Sequence, residues 1–318
     1  MTEGRPPIDL LPYSLIVGQE ELRRALEIAY VGRLGVLATG QRGTAKSTTI
    51  RAFGQLVFKD LPVTMPIGVT DDRVLGGYSV DALLGDKPET KWQDGLIALA
   101  AKTGMLYVDE INLLDDHIVN LVLDPASTSI LTVQRENADR DPEKHEFALV
   151  GSMNPDEGPL RPQLLDRFGL VVTVADAGER ATRARILRVL LDYDRHRGDL
   201  ESEFMVTARA EDAALAARLS DARDRCRKVV CDDTILEACA SVATAFHVLG
   251  HRGELAMLRA AQACAALDGA TEVTIEHCRR VAKPALLHRR PNVDSGTLRA
   301  WGPEEDQRVE AALAEWTD

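Results

Sequence analysis

The chain has 318 residues, 45% of them hydrophobic and 28% charged, which is enough apolar material for one large or two ordinary domains. Its 50 acidic against 38 basic residues give a net charge of −12. This balance argues against a constitutive nucleic-acid coat, because binding to a phosphate backbone needs a positive surface. No apolar run approaches the roughly 20 residues that cross a bilayer, and no signal peptide is recognisable at the amino terminus. We therefore expect a cytoplasmic protein without a membrane span.

The order of elements predicts an α/β fold followed by a helical domain. Residues 1–13 contain three prolines and are interpreted as an amino-terminal arm. Between residues 14 and 177, apolar strands alternate with helices, as in a doubly wound parallel sheet. The predicted strands are Gly35–Thr39, Met105–Val108, Phe147–Ser152 and Leu170–Val174. The predicted helices are Leu22–Val31, Ser47–Phe58, Gly95–Lys102 and Asp115–Leu123, with a short one near Asp81–Leu84 in an otherwise irregular stretch, 60–94.

The second domain is predicted to be entirely helical. Residues 178–290 are rich in Ala, Leu and Arg with a 3.6-residue period, which is interrupted near Gly198, Gly250–Gly253 and Asp268–Gly269. Residues 291–318 are interpreted as a tail that ends in a short acidic helix, Glu304–Trp316. The run His288-Arg289-Arg290 is interpreted as a small basic patch.

The clearest chemical motif follows the first predicted strand. The segment Gly40-Gln41-Arg42-Gly43-Thr44-Ala45-Lys46-Ser47 fits the pattern G-x-x-x-x-G-K-[ST], except that Ala45 replaces the second glycine. Such a loop surrounds a polyphosphate with backbone N–H groups and a helix N-terminus. Lys46 offers a charge to the β- and γ-phosphates, and the Ser47 hydroxyl can ligate Mg²⁺. The predicted nucleotide-binding residues are Gly40, Arg42, Gly43, Thr44, Ala45, Lys46, Ser47 and Thr48.

The residue Ala45 leaves the nucleotide site open to another interpretation. A methyl group at Ala45 could crowd the phosphates or resist a left-handed backbone angle. A Gly-rich turn that arose by chance is the alternative to a phosphate loop.

Further polar residues follow the later strands. Asp109 and Glu110 close the strand Met105–Val108, where Asp109 would hold Mg²⁺ and Glu110 would polarise the attacking water. Asn154 could orient that water, although Asn-Pro can also be a simple turn. Arg167 could enter the site of a neighbouring subunit, where its planar guanidinium suits phosphate charge, or could form a structural ion pair with Asp166 or another nearby acid.

Together these residues resemble the AAA+ superfamily and, more narrowly, the ATPase subunit I of magnesium chelatase. The resemblance covers residues 14–175 and continues, less densely, to about residue 290. Its most specific stretches are 16–22 (IVGQEEL), 70–77 (TDDRVLGG), 106–116 (LYVDEINLLDD) and 151–169 (GSMNPDEGPLRPQLLDRFG).

The resemblance implies roles for individual positions. Val17 and Gly18 would lie on the adenine side, Asn154 would be sensor 1, Arg167 the arginine finger and Arg252 the sensor 2 arginine of the lid. Residues 62–94 would be an insertion in helix 2, and residues 130–147 a hairpin. The domains are then an arm (1–13), an AAA+ core (14–177), a helical lid (178–290) and a tail (291–318).

The same resemblance implies ATP and Mg²⁺ as cofactors and a homo-oligomeric ring, commonly a hexamer. It also implies a partner subunit with a von Willebrand A-type domain and a large porphyrin-binding subunit. The predicted function is an ATP-driven motor that remodels a partner during metal insertion into a tetrapyrrole. Ala45 favours an alternative, a MoxR-type chaperone ATPase acting on another von Willebrand A-domain protein. A nucleotide-binding scaffold with little hydrolysis is a third possibility, and the negative charge disfavours a DNA motor.

Overall fold

The computed structural model describes residues 10–78, 92–128, 130–133, 140–176, 178–290 and 298–316. The core of this part of the chain is a five-stranded parallel sheet in the order β2-β5-β8-β1-β9. Its strands are β1 (Val36–Thr39), β2 (Val63–Met65), β5 (Met105–Val108), β8 (Ala148–Met153) and β9 (Leu170–Thr173). The parallel sheet confirms the predicted α/β class, and the helices that follow residue 178 confirm the predicted helical second domain.

The central strands are apolar throughout because both faces of the sheet are covered. Every residue of β1 and of β5 is buried. Val36 and Ala38 pack with α1 (Glu20–Gly32) and α2 (Lys46–Phe58) on one face. On the other face, Leu37 packs in a second cluster with residues of the helices Leu96–Thr103 and Asp116–Thr128. This alternation is the period of two expected of a strand.

The remaining elements of the core surround this sheet. They are α3 (Asp71–Leu75), α4 (Leu96–Thr103), α5 (Asp116–Thr128), α6 (Pro162–Leu165) and two antiparallel pairs, β3 (Gly76–Tyr78) with β4 (Trp92–Asp94) and β6 (Ile130–Val133) with β7 (Arg140–Lys144). The second pair confirms the hairpin expected within 130–147. The helix expected near Asp81–Leu84 lies outside the described residues.

The sequence predicts four strands in the sheet, and this number is wrong, because the sheet has five. The fifth, β2, pairs with β5 in parallel at the edge of the sheet. It has only three residues, and of these only Met65 is buried. So short a strand has too little alternation to stand out from the surrounding loop. The interval 62–94 therefore contributes a strand to the main sheet as well as the β3–β4 pair.

The second domain consists of helices that pack on the α1 side of the core. They are α7 (Arg180–His196), α8 (Glu203–Cys226), α9 (Asp233–Ala245), α10 (Arg252–Leu267) and α11 (Ile275–Leu286), followed in the tail by α12 (Pro303–Leu313). The breaks expected near Gly198, Gly250–Gly253 and Asp268–Gly269 all fall between helices or at a helix start. Helices α8 and α10 contact α1 directly, so the two domains share one hydrophobic cluster.

The run His288-Arg289-Arg290 is not a surface patch. His288 is 4% exposed, and the side chains of Arg289 and Arg290 are 3% and 6% exposed. These residues follow α11 and are buried between the lid, the core and the tail. The basic-patch interpretation was therefore wrong. Backbone carbonyls from the core and the tail bind these side chains, and the sequence of the run itself does not reveal those distant partners. In the part of the chain that the structure describes, no helix has the length and apolar character needed to span a membrane.

Candidate functional site

The loop after β1 is packed tightly against the ends of the neighbouring strands. The Gly40 N–H donates to the Met153 carbonyl at 3.0 Å, which fixes the loop to the end of β8. A Cβ atom at Gly40 would lie 2.3 Å from the carbonyl oxygen of Val174, so only glycine fits. Gly43 has a φ of 82°, a left-handed angle that glycine adopts without strain. The loop thus has the compact path that close approach to a phosphate group requires.

Ala45 adopts a left-handed conformation, with φ 61° and ψ 18°, immediately before α2. For a residue with a Cβ this conformation costs about 1–2 kcal/mol. Ala45 is exposed, so its methyl group is not packed against other parts of the protein. Beyond it, the first turn of α2 at Lys46, Ser47 and Thr48 directs backbone N–H groups out of the helix end, as anion-binding helices do.

The Lys46 ammonium lies inside this loop. The residue is 9% exposed, and its Nζ donates to the carbonyls of Gly40 and Gln41, the latter at 2.7 Å. Burial lowers the pKa of Lys46, while the carboxylates of Asp109 and Glu110 act in the opposite direction. A cation next to a helix N-terminus makes this end of the sheet suited to a polyanion.

A polar network connects the loop to β5 and β8. Ser47 Oγ lies 3.4 Å from Asp109 Oδ2, and the Tyr107 hydroxyl lies 2.9 Å from Ser47 Oγ and 2.7 Å from Asp109 Oδ1. The Ser152 hydroxyl donates to Asp109 Oδ1 at 2.6 Å. Burial raises the pKa of Tyr107, so its hydroxyl stays protonated. Two neutral hydroxyl groups therefore orient the Asp109 carboxylate.

Glu110 stands beside this network in a left-handed conformation, with φ 52°. Its backbone N–H donates to Ser152 Oγ at 3.2 Å. Its carboxylate lies 3.3 Å from Arg42 Nε, and Arg42 also forms an ion pair with Glu157. The Arg42 side chain is 68% exposed, and ion pairs of exposed arginines are weak. Glu110 can therefore exchange this partner for a water molecule at little cost.

Two further predicted residues lie at the same end of the sheet. Asn154 is 7% exposed, directly follows β8, and accepts a hydrogen bond from the Asp156 N–H at 3.2 Å. Gln19 Nε2 donates to the Thr44 carbonyl at 2.7 Å, which places the neighbouring Val17 and Gly18 beside the loop. The structure thus brings several predicted residues together at the carboxyl ends of the strands, namely residues 17–18, 40–48, 109, 110 and 154. We call this region the P-loop edge.

Arg167 and Arg252 lie at the opposite end of the sheet. Arg167 precedes β9 and pairs with Asp124, and Arg252 pairs with Asp166 at 3.0 Å. β1 and β9 run parallel, so the start of β9 lies about 10 Å or more from the loop at the end of β1. The structure does not bring Arg252 to the P-loop of its own chain. We call the region around residues 166–169, 252 and 289 the arginine edge.

The donor set at the P-loop edge fits Mg²⁺ and a nucleoside triphosphate. Ser47 and Asp109 supply a hydroxyl and a carboxylate oxygen, and Mg²⁺ takes oxygen ligands, usually one or two carboxylates together with substrate phosphates. Lys46 and the N-terminus of α2 supply positive charge on the other side of the same space.

Comparison with known proteins decides the family. The model of the AAA domain (dynein-related subfamily) matches residues 35–168, and that of the AAA lid domain matches residues 236–311. The magnesium-chelatase 38 kDa subunit of Rhodobacter capsulatus is 39% identical over 315 residues, with 88% of each chain covered. The chain belongs to the magnesium-chelatase ATPase-subunit family of AAA+ proteins. As a member of this family it is an ATP hydrolase.

Other relatives extend this comparison. The magnesium-chelatase 38 kDa subunit of Chlorobaculum parvum is 35% identical over 96% of this chain and 98% of its own length. An uncharacterised protein of Mycobacterium tuberculosis is 39% identical over 88% of this chain, which covers only 44% of that protein. The crystal structure of a protein described as an ATPase from Cytophaga hutchinsonii superposes with a TM-score of 0.65 at 16% identity, covering 95% and 90% of the two chains. At that identity it supports the AAA+ fold alone.

Several residues of the site were missed by the sequence analysis. Tyr107 lies two positions before Asp109, so strand alternation places both on one face, and this signal could have found it. Ser152 is a polar residue inside a buried strand, which is a similar signal. Asp166 was predicted only as an alternative ion-pair partner of the adjacent Arg167, which pairs with Asp124 instead, while Asp166 pairs with Arg252 and Arg289. Asp124 and Arg289 carried no local signal, because only the fold brings them to Arg167 and Asp166.

Proposed function

We propose that this chain is the ATP-hydrolysing motor subunit of a magnesium-chelatase-like complex, and that it remodels a partner during metal insertion into a tetrapyrrole. One observation carries the proposal: the groups suited to ATP lie at two opposite edges of one AAA+ core. The P-loop edge offers Lys46, Ser47, Asp109 and Glu110, while Arg167 and Arg252 lie at the far edge. Such a chain has two halves of a site that can meet only between copies.

In the proposed mechanism, Lys46 and the N–H groups of the loop and of the α2 N-terminus hold the phosphates. Ser47 and Asp109 would hold Mg²⁺, which supplies charge stabilisation for the phosphoryl oxygens. Tyr107 and Ser152 keep the Asp109 carboxylate in one orientation. Glu110 leaves Arg42 to polarise the attacking water, and the buried Asn154 orients that water.

The arginines complete this site from a neighbouring copy. A heterologous contact that repeats with rotation closes into a ring, and a hexamer is the proposed form. Arg167 of the core and Arg252 of the lid would both stabilise charge at the γ-phosphate of the adjacent subunit. The proposed partners are a subunit with a von Willebrand A-type domain and a large porphyrin-binding subunit, in the cytoplasm and without a role for nucleic acid.

The Glu110→Gln variant tests the hydrolytic part. It keeps the shape and polarity of the side chain but cannot act as a base, so turnover should fall at least about 100-fold while ATP affinity stays unchanged. Phosphate release and titration with a fluorescent ATP analogue measure the two quantities. Turnover within about twofold of wild type would contradict the role of Glu110.

The pathway is tested separately by replacement. In a reconstituted magnesium chelatase from Rhodobacter capsulatus, this chain would take the place of the 38 kDa subunit, and metal insertion into a porphyrin would be followed by absorbance. ATP-dependent insertion supports the chelatase assignment. ATP hydrolysis without insertion favours the alternative, a MoxR-type chaperone for another von Willebrand A-domain protein, for which Ala45 is the observation in favour.

A further inference from the structure

One buried arginine holds the segment of the core that carries Arg167. The Arg289 guanidinium donates to Asp166 Oδ1 at 3.0 Å and to the backbone carbonyls of Asp166, Phe168 and Gly169 at 2.9, 2.7 and 3.2 Å. A further hydrogen bond goes to the Ala285 carbonyl at 2.5 Å, in the lid. All five N–H donors of the guanidinium are thus in use. The side chain is 3% exposed, so these bonds are shielded from water.

The same arginine lies against the start of α10, which carries Arg252. A Cβ atom placed on Gly253 would lie 3.1 Å from Arg289 Cδ, so the stem of Arg289 packs directly beside that glycine. Asp166 then connects the two elements, because its Oδ1 accepts from Arg289 and its Oδ2 accepts from Arg252 Nη1 at 3.0 Å. Arg289 therefore touches the residues flanking both arginines of this edge.

The electrostatics favour a fixed arrangement over a flexible one. Burial lowers the pKa of Arg289 and Asp166 opposes that shift, so the carboxylate partly compensates a charge that is costly to bury. His288 adds a further contact, with its Nε2 3.1 Å from the Phe168 carbonyl. Burial also lowers the pKa of His288, so the ring is neutral and donates this hydrogen bond. The segment 166–169 has few remaining ways to move relative to the lid.

We propose that Arg289 is a positioning residue for ATP hydrolysis: through Asp166 it sets the placement of Arg167 in the core relative to Arg252 in the lid, so that both reach one triphosphate of the neighbouring subunit. This inference rests on the proposed function, in which the two arginines act between copies. Arg289 itself touches no part of the P-loop edge, because its polar contacts lie at the start of β9 and the end of α11.

The test is the variant Arg289→Lys in the full chain. Lysine keeps the charge but lacks the planar fork, so the carbonyls of residues 166–169 lose their common donor. We expect kcat to fall about 100-fold, the loss that a misplaced catalytic group commonly causes, while the affinity for a fluorescent ATP analogue stays unchanged. A kcat within about twofold of wild type, or a loss confined to nucleotide affinity, would overturn the proposal.

Arg290→Lys is the matched control. Arg290 is similarly buried and bonds to the Leu287 and Ala300 carbonyls and to Glu305, but it contacts the tail and not residues 166–169. A purely structural role for both arginines predicts similar losses of thermal stability and of activity in the two variants. The positioning role predicts that Arg290→Lys loses stability but keeps its kcat. Equal losses of kcat in both variants would contradict the proposal.

Mixed oligomers separate this inference from the proposed function. Arg289→Lys is mixed with Glu110→Gln, which supplies an intact arginine edge but has no catalytic carboxylate. Recovery of activity supports the proposal, since a damaged arginine edge is replaced by a neighbour's intact one. Arg167→Ala mixed with Glu110→Gln is the reference. If the reference fails to recover, the proposed function fails; if only the Arg289→Lys mixture fails, the positioning role fails.

If Arg289→Lys does not fold, the variant Asp166→Asn provides a second test of the positioning role. It leaves the backbone carbonyls in place and removes only the charge shared by Arg289 and Arg252. The same fall in kcat at unchanged nucleotide affinity is expected, with the same recovery in mixtures. An unaltered kcat in Asp166→Asn would overturn the inference.

Discussion

The P-loop edge and the arginine edge are built in different ways. At the P-loop edge, the loop at 40–47 and the acids that end β5 are short contiguous segments, joined by hydrogen bonds between adjacent strands. At the arginine edge, Asp166, Arg252 and Arg289 are more than 30 residues apart in sequence, and they meet only because the lid packs on the core. One edge is thus set by local motifs and the other by domain packing, so changes in lid packing should alter the second edge alone.

Among the substitutions that test the difference between the two edges, Tyr107→Phe should have the largest effect, which is on the Mg²⁺ requirement of the P-loop edge. It removes a hydroxyl 2.7 Å from Asp109 while keeping the buried ring. Loss of a group that orients a metal ligand typically costs about 10–100-fold in metal affinity or activity, so the Mg²⁺ concentration needed for half-maximal hydrolysis should rise about tenfold. Tyr30→Phe is the control, because Tyr30 packs against Phe53 and Phe58 away from this network. An unchanged Mg²⁺ requirement in Tyr107→Phe would contradict the role of the hydroxyl.

The pH dependence of stability should reveal the buried histidine of the arginine edge. Burial and the neighbouring Arg289 hold the pKa of His288 well below 6.5, so the unfolded chain binds a proton that the folded chain does not. Stability should therefore fall as the pH decreases below about 6.5, by at most about 1.4 kcal/mol per pH unit for this group. Denaturant unfolding between about pH 7 and pH 5 measures the slope.

The variant His288→Gln isolates that contribution. Its amide can still donate to the Phe168 carbonyl, but it does not titrate, so the slope should become shallower. His277, whose pKa is also lowered, mainly by burial, keeps its own contribution in both proteins. Parallel curves for wild type and His288→Gln would show that His288 does not titrate as described.

Ala45→Gly should have the smallest effect. Glycine relieves a left-handed strain of about 1–2 kcal/mol, but its greater freedom in the unfolded chain costs about 0.4–1 kcal/mol, so the net gain in stability is between about 0 and 1.6 kcal/mol. ATP affinity should stay the same or rise slightly, because the Ala45 side chain is exposed. Thermal unfolding and nucleotide titration measure both. A clear loss of affinity would mean that the methyl group contributes to the phosphate loop.

The division between the two edges also explains which features could be predicted from the sequence. Lys46, Ser47, Asp109 and Asn154 were found because a loop or a strand end exposes them in a recognisable local pattern, and the structure brings them together. Strand β2 was missed because three residues at a sheet edge carry little periodicity. The placement of Arg252 away from its own P-loop, and the burial of Arg289, depend on how two domains pack, which no single segment encodes.

The central claim is that one functional site is completed by two copies, and equimolar mixing of Arg167→Ala with Glu110→Gln tests it most directly. Each variant alone should be nearly inactive. In random mixed oligomers, about a quarter of the junctions pair an intact P-loop edge with an intact arginine edge, so about a quarter of wild-type activity should return. Activity that stays at the sum of the two separate variants would contradict the account.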